Sequence, residues 1–432
     1  HASFTLFPSI FPKSAYDLAW NVQNDMHSLM HKVSKDAQFL EDVLKSTIAV
    51  DDFVKNLFEI YKLSCNCEMI QKRAIGVFRS DYMLQTQTND VGLPKQIEVN
   101  TMASSLMGIG TNKLLDLHKF NLLHMGGGSM SSENNLPRNN VLDSVAETFV
   151  KGWNMYGNPN AVFVFMLNQN ERNVFDQRAI EHAMYKIDPA IKVRRKVFNT
   201  CAATTRVDAD GKLFIDNEEV AVVYYRTGYM PGHYPTKKNW EARKMIELST
   251  AVKSPSVAQQ LVGSKKIQQV LAQPGVLEHF IDDKNVIKNL RAVFAGLYSL
   301  EMNSAGDGAV KLALERPENF VLKPQREGGG NNLYGADLVF QLNNVGGDER
   351  RCAYILMEKI QPPVQDNYIV HNHEYNPAKT VSELGIFGVF LTDGDKMINS
   401  CTVGHLLRSK SNEHDDGGVG AGVAVLDSPF LV

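Results

Sequence analysis

The sequence predicts an α+β protein with a parallel α/β unit set into its middle. Three observations carry this. Apolar residues at helical spacing fill the first ~70 residues. A continuous apolar run of strand length at 161–167 marks a strand buried on both faces. Long strand-like runs dominate beyond residue 300.

In the first helical stretch Leu18, Val22, Met26, Leu29 and Val33 recur on one face, and Phe53, Leu57, Phe58 and Tyr61 repeat the pattern. A short apolar stretch, Ile75 to Phe78, reads as a strand running into Arg79-Ser80-Asp81. Gln96 to Asn100 alternates, which puts Glu98 and Asn100 on one side of a strand and Ile97 and Val99 on the other. The Gly-, Ser- and Asn-rich segment from Gly126 to Arg138 reads as a surface loop. After the buried strand come a helix over Phe175 to Tyr185 and a strand over Val193 to Phe198. Leu213 to Ile215 and Val220 to Tyr225 then flank a turn at Asp216-Asn217, the signature of a hairpin. Helices continue to about residue 300, followed by strands at Phe320 to Lys323, Tyr354 to Ile360 and Thr380 to Leu391. The turn Asp393-Gly394 joins the last of these to Met397 to Leu407. Long hairpins packed with helices give the α+β class, and the block 161–262 is the inserted parallel unit.

At 432 residues the chain has room for two or three domains of ~150 residues. It carries 45 Lys+Arg against 48 Asp+Glu, a net charge of -3, with 22% charged and 44% hydrophobic residues. That balance excludes a disordered chain and gives no whole-chain attraction to nucleic acid or an anionic membrane. No run approaches the ~18 apolar residues that a spanning helix needs. The five cysteines are an odd, scattered set, so the expectation is free thiols in a reducing compartment. The chain opens at His1, so any targeting segment is expected to lie before it.

Two glycine-rich segments could carry chemistry. Glu327-Gly328-Gly329-Gly330-Asn331-Asn332 follows Lys323-Pro324-Gln325-Arg326. Consecutive glycines let backbone N–H groups close on phosphate oxygens, Lys323 and Arg326 add positive charge, and Glu327 offers a hard oxygen for Mg²⁺. A flexible hairpin tip is the other reading. Gly417-Gly418-Val419-Gly420-Ala421-Gly422, behind Arg408, Lys410 and Asp416, suits a loop that closes over a ligand or a plain linker. Neither is a standard nucleotide motif: Gly211-Lys212 lacks the rest of a P-loop, and no G-x-G-x-x-G occurs. Glu98 and Asn100 suit a magnesium ion equally with a solvated strand face. The pairs His27/His31 and His371/His373 read as structural, Cys65-x-Cys67 has no zinc partner, and there is no G-x-S-x-G nucleophile elbow.

The run KPQREGGGNNLYG at 323–335 resembles the glycine-rich loop of the eukaryotic glutathione synthetases, which are ATP-grasp ligases. RSDYM (79–83), KQIEVNT (95–101), ERNVFDQRAIE (171–181), NWEAR (239–243), ILMEKI (355–360), SELGIFGV (382–389) and VGHLLR (403–408) resemble that family in order and spacing. The resemblance implies an ATP-grasp body over 1–160 and 263–432, with a substrate-binding unit over 161–262. It implies ATP-dependent joining of γ-glutamylcysteine to glycine, or a related small amino acid, through an acyl phosphate. Mg²⁺, a homodimer and a cytoplasmic location come with it.

Position by position, the resemblance places Mg²⁺ at Glu98, Asn100 and Glu327. It places ATP at Lys265, Lys323, Glu327, Gly328, Gly329, Gly330, Asn331, Asn332 and Tyr334, with Met357, Glu358, Lys359, Ile360 and Glu383 on the adenine and ribose side and Lys410 and Asp416 on the closing loop. The peptide and acceptor fall to Arg79, Met102, Ala103, Ser104, Ser105, Glu171, Arg172, Asn173, Gln177, Arg226, Thr227, Gly228, Tyr229, Arg408, Val419 and Gly420. Arg408 is the catalytic group expected to stabilise the transferring oxygens. Ala103, Thr227 and Gly420 depart from the common family pattern, and Gly420 removes a methyl beside the acceptor position. Since one methylene discriminates by only ~1–3 kcal/mol, the expectation is that glycine remains the acceptor while larger amines are rejected less strongly. A ligase respecialised to another acceptor or γ-glutamyl peptide, or a non-catalytic nucleotide- or thiol-peptide-binding descendant, are the alternatives.

Overall fold

The computed structural model describes residues 2–67, 72–86, 92–125, 135–171, 173–415, 417–419 and 422–432. Three helices open the chain, Lys13–Lys35, Ala37–Val50 and Asp52–Cys65, joined by single aspartates, each of which caps the next helix. Asp36 accepts a hydrogen bond from the Phe39 N–H, and Asp51 accepts from the N–H groups of Phe53 and Val54, so each junction satisfies free donors of the next first turn. The apolar face read from the sequence is buried: Val22, Met26, Leu29 and Val33 pack with Phe53, Leu57, Phe58 and Tyr61 in the largest core, against the central sheet.

That sheet holds thirteen strands among the described residues. Its spine is Arg73–Leu84, twelve residues long. Hydropathy alone predicts a strand only from Ile75 to Phe78, because Arg79, Ser80 and Asp81 interrupt the apolar run. The strand continues through them because it is paired on both sides, with Glu374–Asp393 and with Pro94–Asn100, and because the two charges neutralise each other inside the sheet. Glu374–Asp393 forms a long hairpin with Lys396–Ser411 through the expected Asp393-Gly394 turn.

The block 161–262 supplies Val162–Leu167, Val193–Val197, Glu218–Tyr225 and Val252–Ser254, paired in parallel. Val252–Ser254 also pairs in parallel with Arg73–Leu84, Lys253 opposite Ala74, so the parallel strands run straight into the antiparallel ones in one sheet. All six residues of Val162–Leu167 are buried, as the unbroken apolar run predicts. The hairpin turn is where the sequence puts it, with Asp216 at φ 49 and Asn217 at φ 66, the left-handed pair that a two-residue turn requires. The loop expected at 126–138 lies mostly outside the described residues.

A second, four-stranded antiparallel sheet runs in the order Leu297–Ser299, Tyr354–Glu358, Phe320–Pro324, Leu333–Tyr334. Helices Ser304–Glu315 and Gly335–Val345 bury Ala309, Ala313, Leu338 and Leu342 against its Phe320, Leu322 and Leu356. The glycine-rich loop emerges from the end of Phe320–Pro324.

His27 is a core residue, as its helical spacing suggests. It is buried between Gln23 and the Ser400 hydroxyl, each 3.0 Å away, and packs on Phe78 and Phe390. Burial lowers its pKa to about 3, and does the same to His405. The folded pKa lies below the ordinary ~6.5, so an unfolded chain takes up protons that the folded one refuses. Stability is therefore full above that value and falls with pH, by up to about 1.4 kcal/mol per unit for each histidine. His27→Gln is expected to flatten the urea-unfolding free energy between pH 6 and pH 4 by about that slope, and an unchanged slope would contradict this account.

Candidate active site

Strand register gathers the first cluster. Arg79 lies opposite Asn100, Asp81 opposite Glu98, and Glu383 opposite Arg408, on four neighbouring strands of the central sheet. Gly385, opposite Asp81, leaves the space this needs: a Cβ there would sit 2.6 Å from Arg79 Cδ and 2.8 Å from Asp81 Oδ1. Asp81, fully buried, is the centre. It accepts from Arg79 Nε at 2.6 Å and Arg79 Nη2 at 2.8 Å, from Asn100 Nδ2 at 2.8 Å and from Arg408 Nη2 at 2.9 Å. Arg408 also donates to Glu383, while its Nε is buried with no partner among the described residues.

Next to this cluster, Lys265 Nζ donates to Glu98 Oε2 at 2.6 Å. Lys265 starts the helix Lys265–Leu271, which Ser264 caps. Burial opposes ionisation of Glu98, but the Lys265 and Lys323 ammonium groups and the Arg408 guanidinium outweigh it and hold the carboxyl well below the usual carboxylate range. Lys323 is buried and donates to the Ile97 carbonyl at 2.8 Å, tying the loop-bearing strand to the one that carries Glu98. Glu327 follows at the root of the glycine loop. Burial, with the Glu98 charge adding to it against Lys265, pushes Glu327 up to about 8, and its Oε2 is buried without a partner among the described residues. Two carboxylates and an amide form a hard-oxygen set of the kind that suits Mg²⁺ completed by phosphate and water. Among the described residues no group of three His, Cys, Asp or Glu side chains forms a metal cluster.

The glycine loop turns on Gly328 and Gly330, at φ 86 and 88, values that a side chain disfavours. Gly329 faces the second glycine segment, with Gly418 N 3.3 Å from where its Cβ would stand. The two loops identified in the sequence therefore meet. Asn331 donates to the Gly328 carbonyl at 2.7 Å, and Arg326 donates to Asp51 at 2.6 Å, fixing the base of the loop to the cap of an N-terminal helix.

Of the residues that the resemblance assigns to the nucleotide, Met357 and Ile360 are buried with Ala295, packed by Met83, Ile97 and Leu297 into an apolar cluster. Glu358 accepts from the Tyr298 hydroxyl at 2.6 Å. Lys359 lies over the Tyr334 ring at 5.6 Å and pairs with Asp415 at 2.7 Å, and Lys410 donates to the Asp415 carbonyl at 2.6 Å.

Of the residues that the resemblance assigns to the peptide, Arg226 is buried and donates to Ser105 Oγ at 3.1 Å, with Glu171 and Asp176 carboxylates each at 3.4 Å. Asp176 also accepts from the N–H groups of Leu106 and Gly108 at 2.9 and 2.8 Å, which holds the loop that carries Ala103 to Ser105. Ala103 takes the left-handed φ of 55. Ser104 donates to the Val77 and Asn100 carbonyls, so its hydroxyl holds the loop. Asn173 caps the helix Val174–Ile187, which buries Gln177. Thr227 is buried, the Gly228 carbonyl accepts from Gln260 and Tyr234, and Tyr229 stands edge-on to His233 beside Gly328. Met102 reaches towards Gly228, and Val419 packs on the second core. Arg172, Asp416 and Gly420 lie outside the described residues.

Two central carboxylates, Asp81 and Asp176, are missing from the sequence expectations. Both lie inside runs singled out above, RSDYM and ERNVFDQRAIE. The available signal was alternation: Asp81 is two residues from Arg79 and shares its side of the strand.

A family model described as the ATP-binding domain of eukaryotic glutathione synthase matches residues 1–431. The chain belongs to the eukaryotic glutathione synthase family. It is 44% identical over 436 residues to the glutathione synthetase of Bos taurus and 43% identical over 437 residues to that of Homo sapiens, covering 100% of this chain and 90% of each relative. The solved apo structure of a glutathione synthetase-like effector from Globodera pallida superposes with a TM-score of 0.77 at 26% identity, covering 100% of this chain and 90% of that one. The ATP-grasp α+β class stands, and membership supports glutathione synthesis by an ATP-dependent ligase. No described helix is long and apolar enough to cross a membrane.

Proposed function

We propose that the chain ligates γ-glutamylcysteine to glycine with a clear division of labour among its residues. Glu98, Asn100 and Glu327 hold Mg²⁺, which when bound neutralises phosphate charge. Lys265, Lys323 and the N–H groups of Gly328 to Asn332 hold the ATP phosphates. The apolar cluster of Met357 and Ile360 receives the flat base, with Glu358, Lys359, Tyr334 and Lys410 around it, while Glu383, expected on the same side, stands with Arg408 in the buried charge cluster. Arg226, with Ser105, Glu171, Asn173, Gln177 and Tyr229, holds the peptide, and Arg79 supports the same loop.

The cysteinyl carboxylate attacks the γ-phosphorus, ADP leaves, and the acyl phosphate forms. The glycine amine then adds to the acyl carbon, loses a proton, and phosphate departs with both bonding electrons. Arg408 stabilises charge on the transferring and tetrahedral oxygens. No protein nucleophile is required; alignment and fixed positive charge carry the rate. The observation that supports this reading most is Glu327, a buried carboxylate with an unpartnered oxygen at the root of a glycine loop, facing Lys265 and Glu98.

A phosphate-release assay with Mg·ATP and γ-glutamylcysteine, run across glycine, β-alanine, serine and alanine with products weighed by mass spectrometry, tests it. Turnover is expected with glycine, and larger acceptors are expected to lag by only about 5- to 150-fold, the span of ~1–3 kcal/mol. No phosphate release with any acceptor, from folded protein that binds ATP, would overturn the enzymatic reading. Residues 161–262 are proposed as the substrate-binding unit. A homodimer, checked by light scattering, is proposed on the family resemblance alone. A cytoplasmic location is proposed too, supported by the five free thiols.

A further inference from the structure

We infer that Asp81 is a positioning residue whose charge fixes which end of the Asn100 amide faces the metal site and which way Arg408 points. This rests on the proposed metal role of Asn100. A carboxylate only accepts, and Asp81 receives four donors from three side chains, three of them on Oδ2. Because Asn100 must give Nδ2 to Asp81, its oxygen Oδ1 is the end left for a ligand. Arg408 is held by the same oxygen at 2.9 Å, and its buried Nε, without a partner among the described residues, is left for substrate. One buried charge thereby sets the polarity of a metal ligand and of the catalytic guanidinium together. Gly385, by leaving room beside Asp81 Oδ1, makes the arrangement sterically open.

Asp81→Asn alone would leave this polarity in place, because its oxygen can take the Oδ2 position where three of the four donors meet. Asp81→Leu, close in volume, removes every acceptor there. The Asn100 NH₂ then has no carboxylate to donate to, and nothing holds its Oδ1 towards the site. The reciprocal swap, Asp81→Asn with Asn100→Asp, restores the pattern. The carboxylate then at position 100 accepts from the amide then at position 81 through one oxygen and offers the other to the metal. In the swap Arg408 keeps Glu383 but loses the Asp81 charge that also holds it.

Mn²⁺ binding in the presence of ADP, followed by electron paramagnetic resonance, reads the first half, and kcat reads the second. Asp81→Leu is expected to weaken Mn²⁺ by at least about tenfold, the scale for lost support behind a metal ligand. The swap is expected to bind Mn²⁺ within about threefold of wild type yet keep a kcat depressed by about tenfold or more. Wild-type Mn²⁺ affinity in Asp81→Leu would overturn the inference, as would a swap that binds no better than Asp81→Leu. So would an equal gain from Asn100→Asp alone, since coupling between the two positions is the claim. The swap is informative even if the single variant does not fold. Unchanged Mn²⁺ binding in Asn100→Ala would instead overturn the metal role of Asn100, a result that separates the two readings.

Discussion

Arg408→Met is expected to lower kcat by about 10²–10³-fold while leaving the KM for ATP and for γ-glutamylcysteine within a few-fold. The guanidinium lies buried between Asp81 and Glu383, oriented before any substrate arrives. A preoriented charge acts mainly where charge develops, in phosphoryl transfer and in the tetrahedral step, so its loss appears in kcat. Burial already pushes the Glu383 carboxyl up against the pull of Arg408, so the variant should hold Glu383 protonated over a wider pH range. Steady-state kinetics in both substrates check the prediction, and an effect confined to KM would contradict the role.

Arg226→Met is expected to do the opposite. A charged hydrogen bond contributes about 1.5–3 kcal/mol, so the KM for γ-glutamylcysteine should rise about 10- to 150-fold, with kcat at saturating peptide much less affected. Arg226 lies among Ser105, Glu171 and Asp176 at the mouth of the loop that Asp176 pins. The KM for ATP should be unmoved, because the phosphate-side lysines stand on other elements. A fall in kcat with no rise in the peptide KM would remove Arg226 from peptide binding.

Local elements were legible where one signal ruled. Val162–Leu167 announced itself by an unbroken apolar run, the Asp216-Asn217 hairpin by its turn residues, and the opening helices by periodicity. Arg73–Leu84 was half-hidden because Arg79 and Asp81 are charged and sit inside the sheet, where hydropathy gives the wrong answer. The pairing of Arg73–Leu84 with Glu374–Asp393, some three hundred residues later, has no local signal at all. That pairing puts Arg79, Asp81, Glu383 and Arg408 in one place. The residues that meet in this cluster were therefore all in view in the sequence, while the hub that gathers them, Asp81, took its place only with the register. Similarly, Asp176 reads locally as an ordinary first-turn acid of a helix, and only the fold brings Leu106, Gly108 and Arg226 to it.

The most direct measurement is oxygen-18 transfer. γ-Glutamylcysteine carrying oxygen-18 in its cysteinyl carboxylate is turned over with Mg·ATP and glycine, and the released phosphate is weighed. Attack of the carboxylate on the γ-phosphorus carries one labelled oxygen into each phosphate, and the peptide product keeps the other. Phosphate released without label would mean that ATP is cleaved by water, and would contradict the acyl-phosphate ligation assigned to this site.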